Sequence, residues 1–203
     1  MSPQSKRSWI AIAVVVVLIG VAFGVNRATE KHQTVATASP TLIAKANLPD
    51  CPTTTGDGKV DKGLPQLTLP CLGNGPKVDL AKLRGPLVVN IWAGPCPPCK
   101  AEAPLIQRFY AAAKGKVAVL GVVDGAYPDT PNDALDASRG LGLHYPSVFD
   151  AKGKLVTWTR SSGIPVSLFV DNDGKVAYAN FGELKKGDLE RLTEKYLGVQ
   201  VTT

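Results

Sequence analysis

The fold of this chain is decided by residues 87–100, which read LVVNIWAGPCPPCK. The first five are apolar except for Asn90, and such a run predicts a buried strand. Apolar side chains then recur at helical spacing up to Lys114, which predicts a helix after the cysteines. Cys96 and Cys99 therefore lie at a strand-to-helix turn, where unpaired N–H groups and the helix dipole favour a thiolate over a thiol. This arrangement is suited to thiol–disulfide chemistry.

The chain has 203 residues, enough for one domain of ordinary size with additional segments. Its net charge is +6, but several basic residues lie near the N-terminus and no aromatic residues are interleaved with them, so no nucleic-acid binding is expected. The four cysteines allow two disulfides. A zinc site would need two further ligands, and His32, His144, Cys51 and Cys71 have no familiar zinc spacing, so neither a metal nor a cofactor is expected.

An uncharged, mostly aliphatic segment at residues 9–25 follows Lys6 and Arg7. A positive flank before an apolar run of nearly membrane-spanning length predicts a transmembrane anchor, with residues 1–8 cytoplasmic and the rest of the chain exported. A cleaved signal peptide has a similar pattern, but its apolar region is usually about 7–15 residues long. No clear Ala-x-Ala cleavage site follows closely, so an uncleaved anchor is favoured.

Residues 26–49 are polar, rich in Thr and Ala and without sustained periodicity, and predict a tether to a folded domain at residues 50–203. The elements predicted in that domain are strands 64–69, 77–80 and 87–91, helix 101–114, strand 117–124, helix 130–141, strand 145–149, helix 151–158, strands 166–170 and 175–179, and helix 186–197. A parallel crossover followed by an antiparallel hairpin predicts an α/β domain, with a central mixed sheet flanked by helices and an N-terminal β-extension.

Four motifs that lie far apart in the sequence relate the chain to a known family. They are Trp92-Ala93 ahead of Cys96-Pro97-Pro98-Cys99, then Glu102-Ala103-Pro104, Gly163-Ile164-Pro165 and Asn172-Asp173-Gly174. Together they resemble the thioredoxin fold, and more narrowly the TlpA-like and ResA-like membrane-anchored thiol–disulfide oxidoreductases of bacteria. The resemblance covers roughly residues 64–197.

The resemblance implies roles for the cysteines and for the segment that faces them. Cys96 would be the nucleophile, and Cys99 would resolve the mixed disulfide. Pro165, with a cis peptide bond, would place the backbone of Ile164 opposite Cys96, where a substrate strand can pair with it. Trp92 would pack beside the cysteines and take part in substrate binding.

Glu102 lies one helical turn after Cys99, so both side chains can lie on one side of the helix. A carboxylate there would disfavour thiolate formation at Cys99 or act as its base. The alternative is a solvated glutamate on the helix surface.

The chain also departs from relatives at two positions: Asn90 replaces the buried acid of cytoplasmic thioredoxins, and Pro95 stands where an aromatic residue is usual.

Cys51 and Cys71 remain outside these motifs. In an exported protein two unassigned cysteines are expected to pair, so the sequence predicts a structural disulfide between them. The alternative is a redox relay that passes electrons to Cys96 and Cys99.

The resemblance implies an extracytoplasmic thiol–disulfide oxidoreductase. Its expected partners are cysteine-containing exported proteins, apocytochrome c among them, and a membrane thiol carrier that supplies electrons. Disulfide reduction of the cytochrome c maturation type is the favoured direction, whereas other exported relatives oxidise client cysteines. A third interpretation is a non-catalytic thioredoxin-like module that holds clients or copper, although binding alone needs neither Cys-Pro-Pro-Cys nor the Gly-Ile-Pro loop.

Overall fold

The structure is a computed structural model that describes residues 37–54, 56–127 and 129–203. The predicted cytoplasmic residues 1–8, the predicted anchor 9–25 and the first part of the predicted tether lie outside the described residues. Among the residues that are described, none of the helices is both long and apolar enough to span a bilayer.

The described chain forms helices and strands that alternate after a short N-terminal section. In chain order they are α1 (Pro40–Ala46), β1 (Thr68–Leu69), β2 (Val78–Asp79), a 3-10 turn (Leu80–Lys82), β3 (Leu87–Trp92), α2 (Pro97–Ala113), β4 (Ala118–Asp124), α3 (Pro131–Gly140), β5 (Ser147–Asp150), α4 (Lys154–Thr159), β6 (Val166–Val170), β7 (Val176–Phe181) and α5 (Asp188–Leu197).

A five-stranded sheet of order β5-β4-β3-β6-β7 forms the centre of the domain. Strands β3, β4 and β5 are parallel, whereas β6 and β7 are antiparallel additions. All six residues of β3 are buried, as expected for a continuous apolar run in the middle of a sheet covered on both faces. The predicted mixed α/β sheet and the β-extension, formed by the antiparallel pair β1–β2, are both present.

Separate apolar clusters cover the two faces of the sheet, because successive residues of a strand point to opposite sides. Along β3, Val88 and Trp92 belong to one cluster, and Val89 and Ile91 to the other. Helices α2, α3 and α5 pack on the first side, which we call the α2 face. Helix α4 and the β1–β2 pair pack on the second side, the α4 face.

The predicted end of the tether at residue 49 is wrong, because α1 is part of the folded domain. Helix α1 packs against α3, and the Ser39 N–H donates to Oδ1 of Asn132 at 2.8 Å. Ala46 and Leu48 are buried in the α2-face cluster. Seven helical residues are too few to establish a periodic pattern in a Thr- and Ala-rich segment, so only their tertiary contacts show that they are ordered.

The predicted strand 64–69 is mostly irregular, and only Thr68–Leu69 pairs with β2. Pro65 and Pro70 lack the N–H groups that a longer ladder would use. Leu64 and Leu72 are nevertheless buried, so the segment covers the core without forming a regular strand.

Cys51 and Cys71 form the predicted disulfide, with their Cα atoms 5.9 Å apart. Cys51 belongs to the α4-face cluster, and Cys71 forms a β-bridge with Val148 of β5. The other pair, Cys96–Cys99, belongs to the α2-face cluster. Because the sheet separates the two disulfides, this arrangement favours a structural bond over a relay.

The double substitution Cys51→Ser with Cys71→Ser is expected to lower the free energy of unfolding by about 3 kcal/mol, because the bond closes a loop between cysteines 20 residues apart. Denaturant titration of the variant and of wild type measures the loss. Thiol exchange by Cys96–Cys99 should be unchanged in the folded variant. Loss of exchange at unchanged stability would indicate a relay instead.

Candidate active site

Cys96 and Cys99 form a second disulfide at the N-terminus of α2, with Cα atoms 5.3 Å apart. Cys96 is the N-cap residue of this helix, and its Sγ accepts the backbone N–H of Cys99 at 3.2 Å. Only 2% of Cys96 is exposed. The location agrees with the strand-to-helix turn predicted from the sequence.

The two prolines between the cysteines limit the hydrogen bonds available to Cys96. They occupy the first two positions of α2, where an N-cap side chain could otherwise accept a backbone N–H from the second position. Proline has no N–H, so Cys99 supplies the first backbone donor of the helix. A thiolate at Cys96 would therefore receive fewer hydrogen bonds than at an ordinary helix N-terminus.

The turn before Cys96 is held by two hydrogen bonds. The Cys96 N–H donates to the Ala93 carbonyl at 3.2 Å. The Gly94 N–H donates to Oδ2 of Asp129 at 2.7 Å. Asp129 lies 35 residues away in sequence, just before α3, and no local pattern connects it with the cysteines, so the sequence reasoning missed it.

The Ile164–Pro165 peptide bond is cis, as the Gly-Ile-Pro motif predicted. The Ile164 carbonyl oxygen lies 3.9 Å from Sγ of Cys96. Pro165 leads directly into β6, and its carbonyl accepts the Gly182 N–H at 2.9 Å, so the segment after β7 helps to hold the loop. The substrate-binding role of Ile164 and Pro165 stays a prediction, but the predicted placement opposite Cys96 is observed.

Glu102 is buried behind the disulfide, with 1% of its surface exposed. Its Oε1 accepts a hydrogen bond from Nδ2 of Asn90 at 2.8 Å, and its Oε2 accepts the backbone N–H of Leu184 at 2.8 Å. Asn90 also donates to Oγ of Ser167 at 3.2 Å. The interpretation of Glu102 as a solvated surface residue is therefore wrong, and Asn90 serves to hold the carboxyl group.

Burial raises the pKa of Glu102 to about 7, because desolvation of the carboxylate outweighs the two hydrogen bonds that stabilise it. A carboxyl group with such a pKa can take up or release a proton near neutral pH. The structure thus places a proton-exchanging group on the same helix as Cys99, three residues further along. A catalytic role for Glu102 stays a prediction.

Trp92 is buried in the α2-face cluster, with 2% of its surface exposed. Its indole nitrogen is buried and has no hydrogen-bond partner in the described part of the chain. The side chain therefore supports the strand end beneath the cysteines, and the predicted contact with substrate stays untested. Within the described part of the chain, no cluster of His, Cys, Asp or Glu could hold a metal ion.

Comparisons with known proteins agree on one family. The sequence model of the Redoxin family matches residues 59–196. Thiol-disulfide oxidoreductase ResA of Bacillus anthracis is 32% identical over 123 residues, which cover 60% of this chain and 69% of that protein. Thiol:disulfide interchange protein DsbE of Escherichia coli K12 is 28% identical over 155 residues, which cover 72% and 80% of the two chains.

A solved structure shows the same fold. The crystal structure of StoA from Bacillus subtilis matches with a TM-score of 0.55 at 24% identity, over 63% of this chain and 96% of StoA. Together with the family match, this similarity confirms the thioredoxin-like α/β fold expected from the sequence.

The raised pKa of Glu102 predicts a specific pH dependence of stability. Because the carboxyl group titrates near pH 7 when folded and near pH 4.5 when unfolded, its contribution to stability is fully present below about pH 4.5. That contribution falls by up to about 3 kcal/mol as the pH rises to 7. Glu102→Gln should remove this slope, which denaturant titrations of the oxidised protein from pH 4 to 8 would measure.

The slope is the informative quantity here, because the amide of the Glu102→Gln variant can accept only one of the two hydrogen bonds and will lower stability at every pH. Glu194→Gln, at an exposed position of α5, is the matched control and should keep the wild-type slope. Parallel curves for wild type and Glu102→Gln would contradict the assignment.

Proposed function

The chain belongs to the Redoxin family as a ResA-like thiol–disulfide oxidoreductase of the thioredoxin superfamily, and we propose that it reduces disulfides in exported proteins through Cys96 and Cys99. The observation that carries this proposal is the juxtaposition of Cys96 with the cis Ile164–Pro165 loop, whose carbonyl lies 3.9 Å from the sulfur. A client strand that hydrogen-bonds to the Ile164 backbone would bring its own disulfide to Cys96.

The reaction is a two-electron exchange. The Cys96 thiolate attacks one sulfur of the client disulfide, which forms a mixed disulfide and releases the other client thiolate. The Cys99 thiolate then attacks the Cys96 sulfur, which releases the second client thiolate and leaves Cys96–Cys99 oxidised. A dithiol donor must reduce the pair again before the next turnover.

Glu102 is suited to the second step. Deprotonation of Cys99 is required before it can attack, and a buried carboxylate with a pKa of about 7 can accept that proton. Asn90 and the Leu184 N–H hold the carboxyl group in one orientation. We include Glu102 in the catalytic machinery on this basis.

The poor stabilisation of a thiolate at this site supports reduction as the direction of electron flow. Pro97 and Pro98 remove two backbone donors, and Cys96 is buried. Each feature disfavours the Cys96 thiolate. An unstabilised reduced form is a stronger electron donor, so these features support a reductase over a thiol oxidase.

The cellular setting belongs to the same proposal. The apolar segment 9–25 would anchor the chain in the membrane, with the domain on the extracytoplasmic side. The similarity to ResA and DsbE supports cysteine-containing exported clients, and we propose apocytochrome c as such a client. A membrane thiol carrier would supply the electrons.

Cys99→Ser in the full-length protein tests the function, because it should trap clients as mixed disulfides on Cys96 in the native membrane. Non-reducing electrophoresis and mass spectrometry would identify them. Cys96→Ser is the matched control and should trap nothing. Recovery of the same adducts from both variants would favour a non-catalytic binding module. The same conclusion would follow if Cys99→Ser trapped no adducts and the wild-type protein failed to reduce insulin.

Pro98→Ala tests the proposed direction. The substitution adds a backbone N–H at the second position of α2, where it can donate to the Cys96 thiolate. We expect a lower pKa of Cys96 and a reduction potential about 30 mV less negative than that of wild type. The wild-type potential should lie nearer to about −270 mV, as in reducing pairs, than to about −120 mV, as in strong oxidants. Equilibration with glutathione or dithiothreitol buffers measures it.

Pro104→Ala is the control for this substitution, since it replaces an exposed proline inside the same helix, beyond its first turn. It should leave the reduction potential unchanged. Equal shifts in both variants would mean that helix stability, rather than a donor at Cys96, sets the potential.

A further inference from the structure

We infer that Asp129 is a positioning residue for thiol–disulfide exchange, which holds the turn before Cys96 through the Gly94 N–H. The inference rests on the proposed role of Cys96 as the nucleophile. It adds a residue from the segment just before α3 to the cysteine pair and the cis-proline loop.

The geometry assigns this role. Oδ2 of Asp129 accepts the Gly94 N–H at 2.7 Å, and only 6% of Asp129 is exposed. Gly94 lies two residues before Cys96, and the residue between them is Pro95, which has no N–H to donate. The turn therefore offers two backbone donors, at Gly94 and Cys96, and the second is already bound to the Ala93 carbonyl.

The close approach of α3 to the turn depends on the absence of a side chain at Gly94. A Cβ atom there would lie 3.1 Å from Cβ of Ala137 and 3.3 Å from Oδ2 of Asp129, both closer than ordinary contacts. The backbone of the turn thus packs directly on α3 and on the carboxyl group. A side chain at position 94 would move the turn before Cys96 away from the carboxyl group of Asp129.

The other oxygen of Asp129 makes the carboxyl group unusual. Oδ1 is buried and has no hydrogen-bond partner among the described residues, although leaving a buried polar atom unpaired is costly. Burial, together with the nearby carboxyl group of Asp133 on α3, raises the pKa of Asp129. The short hydrogen bond that this carboxyl group accepts is the one from Gly94, in the turn before Cys96.

The role in the reaction is to fix the direction of attack. When the Cys96 thiolate attacks a client disulfide, its sulfur must lie in line with the sulfur–sulfur bond that breaks, and small misplacements are costly in rate. Asp129 holds the turn on one side of Cys96, while the Ile164 backbone holds the client on the other. Electrons and protons move as in the exchange described above, and Asp129 exchanges neither.

The test compares Asp129→Ala and Asp129→Asn in the full-length protein. The reduced proteins react with oxidised glutathione, and the second-order rate constant is measured across a pH range from acidic to alkaline. The plateau at high pH reports the reactivity of the fully formed thiolate, whereas the midpoint reports the pKa of Cys96. We expect Asp129→Ala to lower the plateau by about tenfold or more. Asp129→Asn should stay within about threefold of wild type, because its amide oxygen still accepts the Gly94 N–H.

Asp150→Ala is the matched control. Asp150 is also buried, at 2% exposed, and its Oδ2 accepts the Leu155 N–H at 2.8 Å, but it lies at the end of β5 and its hydrogen bond holds the start of α4 on the other face of the sheet. It should lower the melting temperature as Asp129→Ala does and leave the plateau unchanged.

Three outcomes would overturn the inference. They are equal plateau losses in Asp129→Ala and Asp150→Ala, a plateau loss in Asp129→Asn as large as in Asp129→Ala, and a change confined to the midpoint. Failure of the proposed function would be separate, because wild type would then react no faster than Cys96→Ser.

Discussion

A single buried carboxyl group joins the elements that lie behind the Cys96–Cys99 disulfide. Glu102 of α2 accepts hydrogen bonds from Asn90 of β3 and from the Leu184 backbone between β7 and α5. Burying a carboxyl group is costly unless its oxygens are paired, so these elements must dock in one arrangement to satisfy it. The same burial that fixes the packing also brings the pKa of Glu102 to about 7. The packing of these elements and the raised pKa of Glu102 therefore have one cause.

The topology of the sheet places the remaining parts of the site. β3 runs toward the cysteines, and β6 is antiparallel to it, with Ile91 paired to Val166. The start of β6 therefore lies beside the end of β3, which brings Ile164 and Pro165 next to Cys96 across 68 residues of sequence. β4 is parallel to β3, so the segment after it begins at the same edge and carries Asp129 to the turn. Cys96 is thus held from several directions by elements that share one sheet edge.

The two disulfides differ in their surroundings although both close short spans of a small domain. Cys51–Cys71 joins irregular segments on the α4 face. These segments form few backbone hydrogen bonds between strands, so a covalent cross-link adds to their stability. Cys96–Cys99 lies at a helix N-terminus on the α2 face, where the Ile164 carbonyl of the cis-proline loop approaches Cys96. The first arrangement suits a permanent bond, and the second suits a bond that opens and closes.

The elements whose signals are local could be predicted from the amino-acid sequence. The apolar runs of β3 and β4, the Cys-Pro-Pro-Cys turn, the hairpin at residues 172–174 and the cis-proline motif could all be recognised because each depends on neighbouring residues. The tertiary structure alone decided the rest. It showed that α1 is folded onto α3, that Glu102 is buried rather than solvated, and that Asp129 binds the turn at Gly94. These features depend on burial and on hydrogen bonds between residues distant in sequence, and a pattern of neighbouring side chains holds no information about which distant group will satisfy a buried polar atom.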